Sequence, residues 1–518
     1  MSRQEKFGAE IQAGYQFAGE SIILGGAMLD GAPIQGLQVK VPLRTLNRHG
    51  LIAGATGTGK TKSLQVIAEQ LSSHGIPSLL MDIKGDLSGL AMPGSDHPKI
   101  QERCKAIGIE WRAHGSPVEF LTLSNEKGLR LRATVSEFGP VLFSRILGLN
   151  DTQGGIVAIV FKYCDDHNLP LLDLRDFKKT LQYLGNEGKA QIEAEYGQFS
   201  SVSAGTILRK VLELEQQGAD RFFGELSFDV RDLCRVDEQG RGIASIVRLT
   251  DIQDRPKLFS TFMLQMLAEI YATFPERSDS ERPELCIFID EAHLVFQEAT
   301  SALLQQLETI IKLIRSKGIG LYFITQNPDD IPASILSQLG LKLQHALRAF
   351  TARDRKVIKT AAENYPLSAW YKTDELLTRL GTGEAIISVL NEKGIPTPLA
   401  HTLMRAPEGR MDVLSTEEIE QIINRSPLAR KYNQAIDRES AYEILTEKIN
   451  EAQKAAPTSS PKPAAPRAAT ARKEKTVIET VIDNPLTRQV GRTVARELAR
   501  GLLGVLGLGG SSTTRRRR

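Results

Sequence analysis

The sequence predicts an α/β protein built on a mainly parallel sheet with helices on both faces. An apolar strand, a Gly/Thr-rich loop and a helical stretch run together as "GLIAGATGTGKTKSLQVIAEQLSSHG", and a second apolar strand, "PSLLMDIKGD", follows soon after. Strand, helix and strand within about forty residues make a βαβ unit, whose crossover sets the two strands parallel. Further on, the apolar runs "GIASIVRL" (242–249), "ELCIFID" (284–290) and "GIGLYFITQ" alternate with helix-period stretches near 256–273 and 299–316.

The remaining elements are placed by their own signals. Residues 1–45 are Gly-rich and read as short β runs, "ESIILGG" and "LQVKVPL", parted by the turn signal "DGAP". Residues 140–225 lack strand signals and carry helical patches such as "RDFKKTLQYLG" and "AGTILRKVLELEQQG", which predicts a helical insertion. "LKLQHALRAF" and "GEAIISVL" read as the last strands of a core spanning 46–400, with a helical extension over 401–450. From about 451 to 475 the chain turns to "AAPTSSPKPAAPRAATARK", a Pro/Ala linker that cannot bury a core. In 476–518, Arg488, Arg492, Arg496 and Arg500 recur every four residues, and Val490, Val494, Leu498 and Leu502 do so two positions out of step. On a helix that offset puts arginines and aliphatics on opposite faces, so the tail is predicted to be amphipathic. Such a helix grips an anion such as nucleic acid or a membrane surface, or docks its aliphatic face on protein.

Composition narrows the function classes. At 518 residues the chain has room for two or three domains. Cys104, Cys164, Cys234 and Cys286 lie far apart with no CxxC pair, so neither a disulfide framework nor a zinc site is expected. The N-terminus leads into no apolar signal region, and no apolar run approaches the ~20 residues of a membrane span. A soluble cytoplasmic protein is the expectation. Net charge is +3, but residues 451–518 hold 14 Lys/Arg against 5 Asp/Glu, a net +9, which leaves residues 1–450 at −6. Any nucleic-acid contact by the body is then a local patch.

The strongest chemical signal is "GATGTGKT", residues Gly54, Ala55, Thr56, Gly57, Thr58, Gly59, Lys60 and Thr61. It fits GxxxxGK[ST] and lies between a strand and a helix, the setting in which a P-loop wraps its backbone N–H groups around phosphate. Lys60 is expected to neutralise the β- and γ-phosphates of ATP, and the Thr61 hydroxyl to ligate Mg²⁺. The core is therefore predicted to be a RecA-like P-loop NTPase. The strand "LCIFIDEAH" delivers Asp290 to the carboxyl end of the sheet, where ligands bind in such folds. Asp290 is assigned to the Mg²⁺ shell, and Glu291 to polarising the attacking water. Acidic residues after strands also serve as plain helix caps. The next strand ends "LYFITQNP", which places Gln326 to touch both γ-phosphate and water.

"DEAH" (290–293) is also the tag of one helicase class, but its companion Ser-Ala-Thr and Q-x-x-G-R-x-G-R motifs do not occur here. The series "VPLRTLNRHGLIAGATGTGKT", "MDIKGD", "IDEAH", "IRSKGIGLYFITQNP" and "LGTGEAII", over roughly residues 40–390, instead resembles the HerA/FtsK group of ring-forming DNA-pumping ATPases, and within it the HerA-like branch. The resemblance implies an Mg-ATP-dependent motor, assembled as a homo-oligomer, most simply a hexamer. It would move along or unwind double-stranded or forked DNA, with a protein partner such as a nuclease. Asp82 falls where the family places an acidic residue important for turnover; its other reading is a cap on the following turn. Arg315 falls where the family sends an arginine finger into a neighbouring subunit's ATP site, with Arg348, Arg353 and Arg355 as rivals; its other reading is a cation at a helix C-terminus. His293 either couples Glu291 to a DNA-sensing loop or packs as a capping histidine. The pattern departs from the family in one place. About forty-five residues precede the P-loop strand, too few for the β-barrel of HerA proteins. A nucleotide-gated assembly ATPase that acts on a protein partner is the alternative, and a metabolite kinase a weaker third.

Overall fold

The computed structural model describes residues 1–277, 280–296, 301–349, 351–434, 436 and 438–455. Among these, twelve strands join in one sheet: β1 (Ser21–Leu29), β2 (Ala32–Pro42), β3 (Gly50–Ala53), β4 (Ser78–Asp82), β5 (Val118–Thr122), β6 (Leu129–Arg130), β7 (Ala244–Arg248), β8 (Leu285–Ile289), β9 (Ile319–Thr325), β10 (Leu341–Gln344), β11 (Glu384–Ser388) and β12 (Ala400–Met404). Their order across the sheet is β2-β1-β12-β11-β10-β3-β9-β8-β4-β7-β5-β6. From β10 to β6 every pairing is parallel, and from β2 to β10 every pairing is antiparallel.

The parallel half explains the unbroken apolar runs. β4, β8 and β9 are buried along their whole length, because helices on both sheet faces leave no polar side to alternate with. Register follows from the packing of these side chains. Phe288 of β8 sits opposite Tyr322 of β9, their rings stacked at 4.7 Å, and the Tyr322 hydroxyl donates to the Leu46 carbonyl at 2.6 Å. Leu80 of β4 pairs with Phe288 on the other side. Four strands therefore lie in the order β3-β9-β8-β4, and their carboxyl ends carry the P-loop, Gln326, the Asp290–Glu291 pair and Asp82.

Four segments differ from their sequence readings. Residues 1–45 open with a helix, α1 (Arg3–Tyr15), before the two strands. Ser2 and Glu5 form a reciprocal capping box, and Phe7, Ile11 and Tyr15 at four-residue spacing all face the core. The β1–β2 hairpin does not stand apart either, since Gly26 of β1 pairs with Leu403 of β12 and so joins the main sheet. That same pairing corrects the start of the helical extension. Residues 400–404 are a strand, whose polar His401 faces Glu384 of β11 at 3.1 Å and interrupts the apolar pattern a strand reading would need. Between 82 and 140 the sheet gains β5 and β6, for which no element was predicted. "LKLQHALRAF" keeps only its first four residues in the sheet, as β10.

The chain divides into two compact units. The first holds residues 1–133 and 214–436 and contains the sheet, with α2 (Lys60–Ser73), α3 (Pro98–Ile107) and the long buried α9 (Pro256–Thr273). The second holds residues 134–213 and the described residues 438–455. It is wholly helical: α4 (Val135–Ile146), α5 (Asp151–Asp166), α6 (Leu174–Gly185), α7 (Lys189–Tyr196), most of α8 (Ser201–Gln216) and a C-terminal helix, Ala441–Ala455. Its centre is aromatic, with the Phe143 ring 4.8 Å from that of Phe177 and 6.0 Å from that of Phe161. Buried Asp176 ties two of its helices together. One carboxylate accepts from the Leu172 and Asp173 N–H groups beside α6, and from Ser440 and the Tyr442 N–H at the head of the C-terminal helix. The predicted linker beyond 455 and the Arg-striped segment at 476–518 lie outside the described residues.

Candidate active site

The P-loop closes around its own lysine. After β3 the chain turns through Gly54 (φ 152°) and Gly59 (φ 115°), backbone settings that side chains rarely adopt. At Gly54 a Cβ would also lie 2.5 Å from the Cβ of His345, so only glycine fits. Lys60 opens α2 with its ammonium 2.6 Å from the Gly54 carbonyl and 3.1 Å from that of Ala55, and is 6% exposed. The loop is braced from β10 and β11. Gly383 N–H donates to the Thr58 carbonyl at 3.0 Å, and Arg103 of α3 holds the Gly383 and Met404 carbonyls at 3.1 Å. His345 spans the gap beneath, with Nδ1 2.8 Å from the Glu384 carbonyl and Nε2 2.9 Å from the Ser63 hydroxyl. Burial pushes this imidazole down to about 4, so it is neutral, donating from Nδ1 and accepting at Nε2.

The acid pair arrives from β8. Asp290 and Glu291 are both buried, and Glu291 adopts φ 46° in the left-handed region, a strained setting for a glutamate. A polar chain links it to the P-loop. The Thr56 hydroxyl donates to Gln326 Oε1 at 3.1 Å, and Gln326 Nε2 donates to Glu291 Oε1 at 3.2 Å. Glu291 Oε2 lies 3.2 Å from His293 Nδ1. The cradle at 54–61, the acid pair and Gln326 thus share one end of the sheet, although Lys60 and Asp290 are separated by much of the chain.

Two residues that sequence reasoning passed over complete the cluster, and both belong to "MDIKGD". Lys84 Nζ is 2.5 Å from Glu291 Oε1 and 3.8 Å from Asp290 Oδ2. Asp86 accepts the Thr61 hydroxyl at 3.1 Å through Oδ2, while its Oδ1 is buried without a hydrogen-bond partner. The signal was a Gly turn directly after a strand, flanked by a cation and an anion. Asp82 itself turns inward. Its Oδ1 accepts from the Gly85 and Asp86 N–H groups at 2.8 and 3.1 Å, and its Oδ2 from that of Leu87 at 3.2 Å. The structure places Asp82 as a cap on that turn, the second of its two readings, and Asp86 is the carboxylate that meets Thr61.

Electrostatics in the cluster follow from burial opposed by charge. Burial pushes Asp290 up to about 6, with Glu291 adding to the rise and Lys84 opposing it. Burial also raises Glu291, but Lys84, Gln326 and His293 together outweigh it and hold that carboxyl below its usual range. For Lys60, burial and then the Lys84 ammonium lower the pKa, against the pull of Glu291, Asp290 and Asp86. Among the described residues no group of three or more His, Cys, Asp or Glu is gathered for a metal. Thr61, Asp86 with its unpaired oxygen, and the buried Asp290 make a sparse oxygen-donor set. That set fits Mg²⁺, which takes one or two carboxylates and fills its shell with water and phosphate oxygens.

Arg315 does not join this cluster. It begins a short 3₁₀ turn at the amino end of β9, roughly 20 Å along the strand from Gln326. Its neighbours are cations, since burial first and then Arg315 and Arg44 depress the Arg48 guanidinium. Of the rival arginines, Arg348 follows β10, and Arg353 and Arg355 are exposed on the helix Ala352–Glu363.

Residues 28–513 match the family described as "Helicase HerA-like C-terminal". The chain is similar to the DNA double-strand break repair helicase HerA of Sulfolobus acidocaldarius, at 22% identity over 70% of this chain and 66% of that protein. It is likewise similar to the protein of the same name from Saccharolobus solfataricus, at 23% identity over 68% of this chain and 63% of that protein. The chain thus spans just under two thirds of the length of these relatives. Among solved structures, the bacterial conjugative coupling protein TrwBdeltaN70 in its unbound monoclinic form superposes with a TM-score of 0.50 at 14% identity, covering 79% of this chain and 95% of that one. The plasmid coupling protein TrwB in complex with ADP and Mg²⁺ gives 0.50 at 14% identity, covering 77% and 99%. At such identity the likeness is one of fold: the core is a RecA-like P-loop ATPase fold.

Proposed function

The chain belongs to the HerA-like helicase C-terminal family, and from that premise we propose that it is an Mg-ATP-hydrolysing motor that assembles as a ring, most simply a hexamer, and moves along or unwinds DNA. The observation that carries the reading is the chain of side chains Thr56–Gln326–Glu291–Lys84, which joins a phosphate cradle to a buried acid pair and runs across four neighbouring strands. The similar HerA proteins are named as DNA repair helicases, and a structure of the same fold was determined with ADP and Mg²⁺.

The residues divide the work as follows. The backbone of 54–61 and Lys60 hold the phosphates, as P-loop backbones do. Thr61 and Asp290 would hold Mg²⁺, with Asp86 beside them. Mg²⁺ there would neutralise charge building on the phosphate oxygens. Glu291 takes the proton of the attacking water, and Gln326 positions that water while keeping contact with Thr56. Asp82 fixes the turn that carries Lys84 and Asp86. Arg315 lies at the far end of β9 from this site, and on this reading it is assigned to the site of a neighbouring subunit.

Two measurements test this reading. ATP turnover at low salt should rise severalfold when duplex or forked DNA is added, since phosphate contacts dominate such binding and weaken with salt. Turnover indifferent to DNA would favour the nucleotide-gated assembly ATPase acting on a protein, a reading that the net charge of −6 over residues 1–450 also supports. Arg315→Ala should bind ATP and assemble but lose about 10³-fold in turnover, the usual worth of an arginine finger. Mixing it with a Lys60→Ala variant should restore part of the activity, because each lacks what the other supplies. No recovery on mixing would make Arg315 a structural cation.

A further inference from the structure

Two ammonium groups share one end of the sheet with the acid pair, and the phosphate cradle accounts for only one of them, Lys60. The other, Lys84, sits on a turn that the Asp82 carboxylate fastens by three backbone N–H groups, so its Cα is fixed while its four-carbon stem is free to swing. Its side chain keeps 35% of its surface exposed, whereas its partners Asp290 and Glu291 keep 6% and 8%. Glu291 Oε1 is doubly occupied, accepting from Lys84 Nζ at 2.5 Å and from Gln326 Nε2 at 3.2 Å, and His293 stands at 3.2 Å from Oε2. Oε2 has no hydrogen-bond partner, so a water can reach the carboxylate there, but a cation held against Oε1 opposes the arrival of a proton. Gln326 is anchored to Thr56, and His293 is two residues away on the same backbone. Lys84 is the donor able to leave, and as a cation it is the one a phosphate would attract.

We propose that Lys84 is a second phosphate-binding cation whose contact with Glu291 competes with its contact to the terminal phosphate of a nucleoside triphosphate. A triphosphate, with its extra charge at the end of the chain, draws Lys84 off Glu291 and leaves the base without its cation; a diphosphate lacks that group and leaves the ion pair in place. Lys84 is thereby a positioning residue for Glu291 and a discriminator between ATP and ADP. The proposal rests on the reading of residues 54–61 as a triphosphate site.

The test is equilibrium binding of Mg-ADP and of a non-hydrolysable Mg-ATP analogue to the full chain, by calorimetry. Lys84→Met should weaken the analogue by about tenfold or more and ADP by less than about twofold, the difference expected from one hydrogen bond to a charged group. Lys84→Arg should recover most of the loss. Glu291→Gln should bind the analogue more tightly than wild type, because it removes Lys84's competing anion, and adding Lys84→Met should abolish that gain. Undiminished ADP binding also reports that each variant is folded. Equal weakening of both nucleotides, or of neither, or a Glu291→Gln gain that survives Lys84→Met, would overturn the Lys84 assignment alone. If wild type bound neither nucleotide, the triphosphate site would fall and Lys84 with it.

Discussion

Lys60→Ala is expected to lose nucleotide binding and hydrolysis together. The Lys60 ammonium is buried, bonded to the carbonyls of Gly54 and Ala55, and surrounded by the charges of Lys84, Glu291, Asp290 and Asp86. Removing it takes the cation from the centre of the cradle and leaves two inward-facing carbonyls whose dipoles repel phosphate. Loss of one preorganised donor at a developing anion typically lowers turnover about 10²–10³-fold. Here ground-state binding is lost as well, so kcat/KM should fall by more than kcat. Steady-state ATPase assays with an equilibrium binding titration check both. Normal hydrolysis by the variant would remove residues 54–61 from the reaction.

Glu291→Gln separates binding from chemistry. The amide is nearly isosteric, so the left-handed turn at φ 46° and the contact with Gln326 have no steric reason to change. What disappears is the ability to take a proton, and general-base groups are worth about 10²–10⁴-fold in rate. The variant should therefore hold ATP and release almost no phosphate in a single-turnover experiment. A variant that still turned over within about tenfold of wild type would place the base elsewhere, with Asp290 the nearest carboxylate.

That the P-loop and the acid pair meet at one end of the sheet was legible in the amino-acid order, because the P-loop and the Asp-Glu strand end each carry a local pattern. Gln326 was found for the same reason, at the end of an apolar strand. Lys84 was not, because its contact with Glu291 arises only when β4 lies against β8, a pairing between segments some two hundred residues apart; Asp86, which meets Thr61 beside the P-loop, was passed over in the Gly turn after β4. Helix α1 was missed because residues 1–45, with Gly8 and Gly14 among them, were read as a Gly-rich β segment, although its capping box and its Phe7–Ile11–Tyr15 stripe were present. β12 was missed because His401 and Thr402 break its apolar run, and their place in the sheet is set by β11 and β1. Asp82 is the converse case: an acidic residue at the same end of the sheet whose carboxylate is taken up by backbone N–H groups.

One strand has a mechanical consequence. β9 is seven residues long, buried throughout, and laced by hydrogen bonds to β3 on one edge and β8 on the other. It can neither stretch nor buckle without breaking those bonds. Gln326 lies at one tip and the turn bearing Arg315 at the other. A tug on the glutamine when the terminal phosphate departs would therefore travel the length of this push-rod and reposition the guanidinium, so that in a closed ring each site would hand its timing to the next.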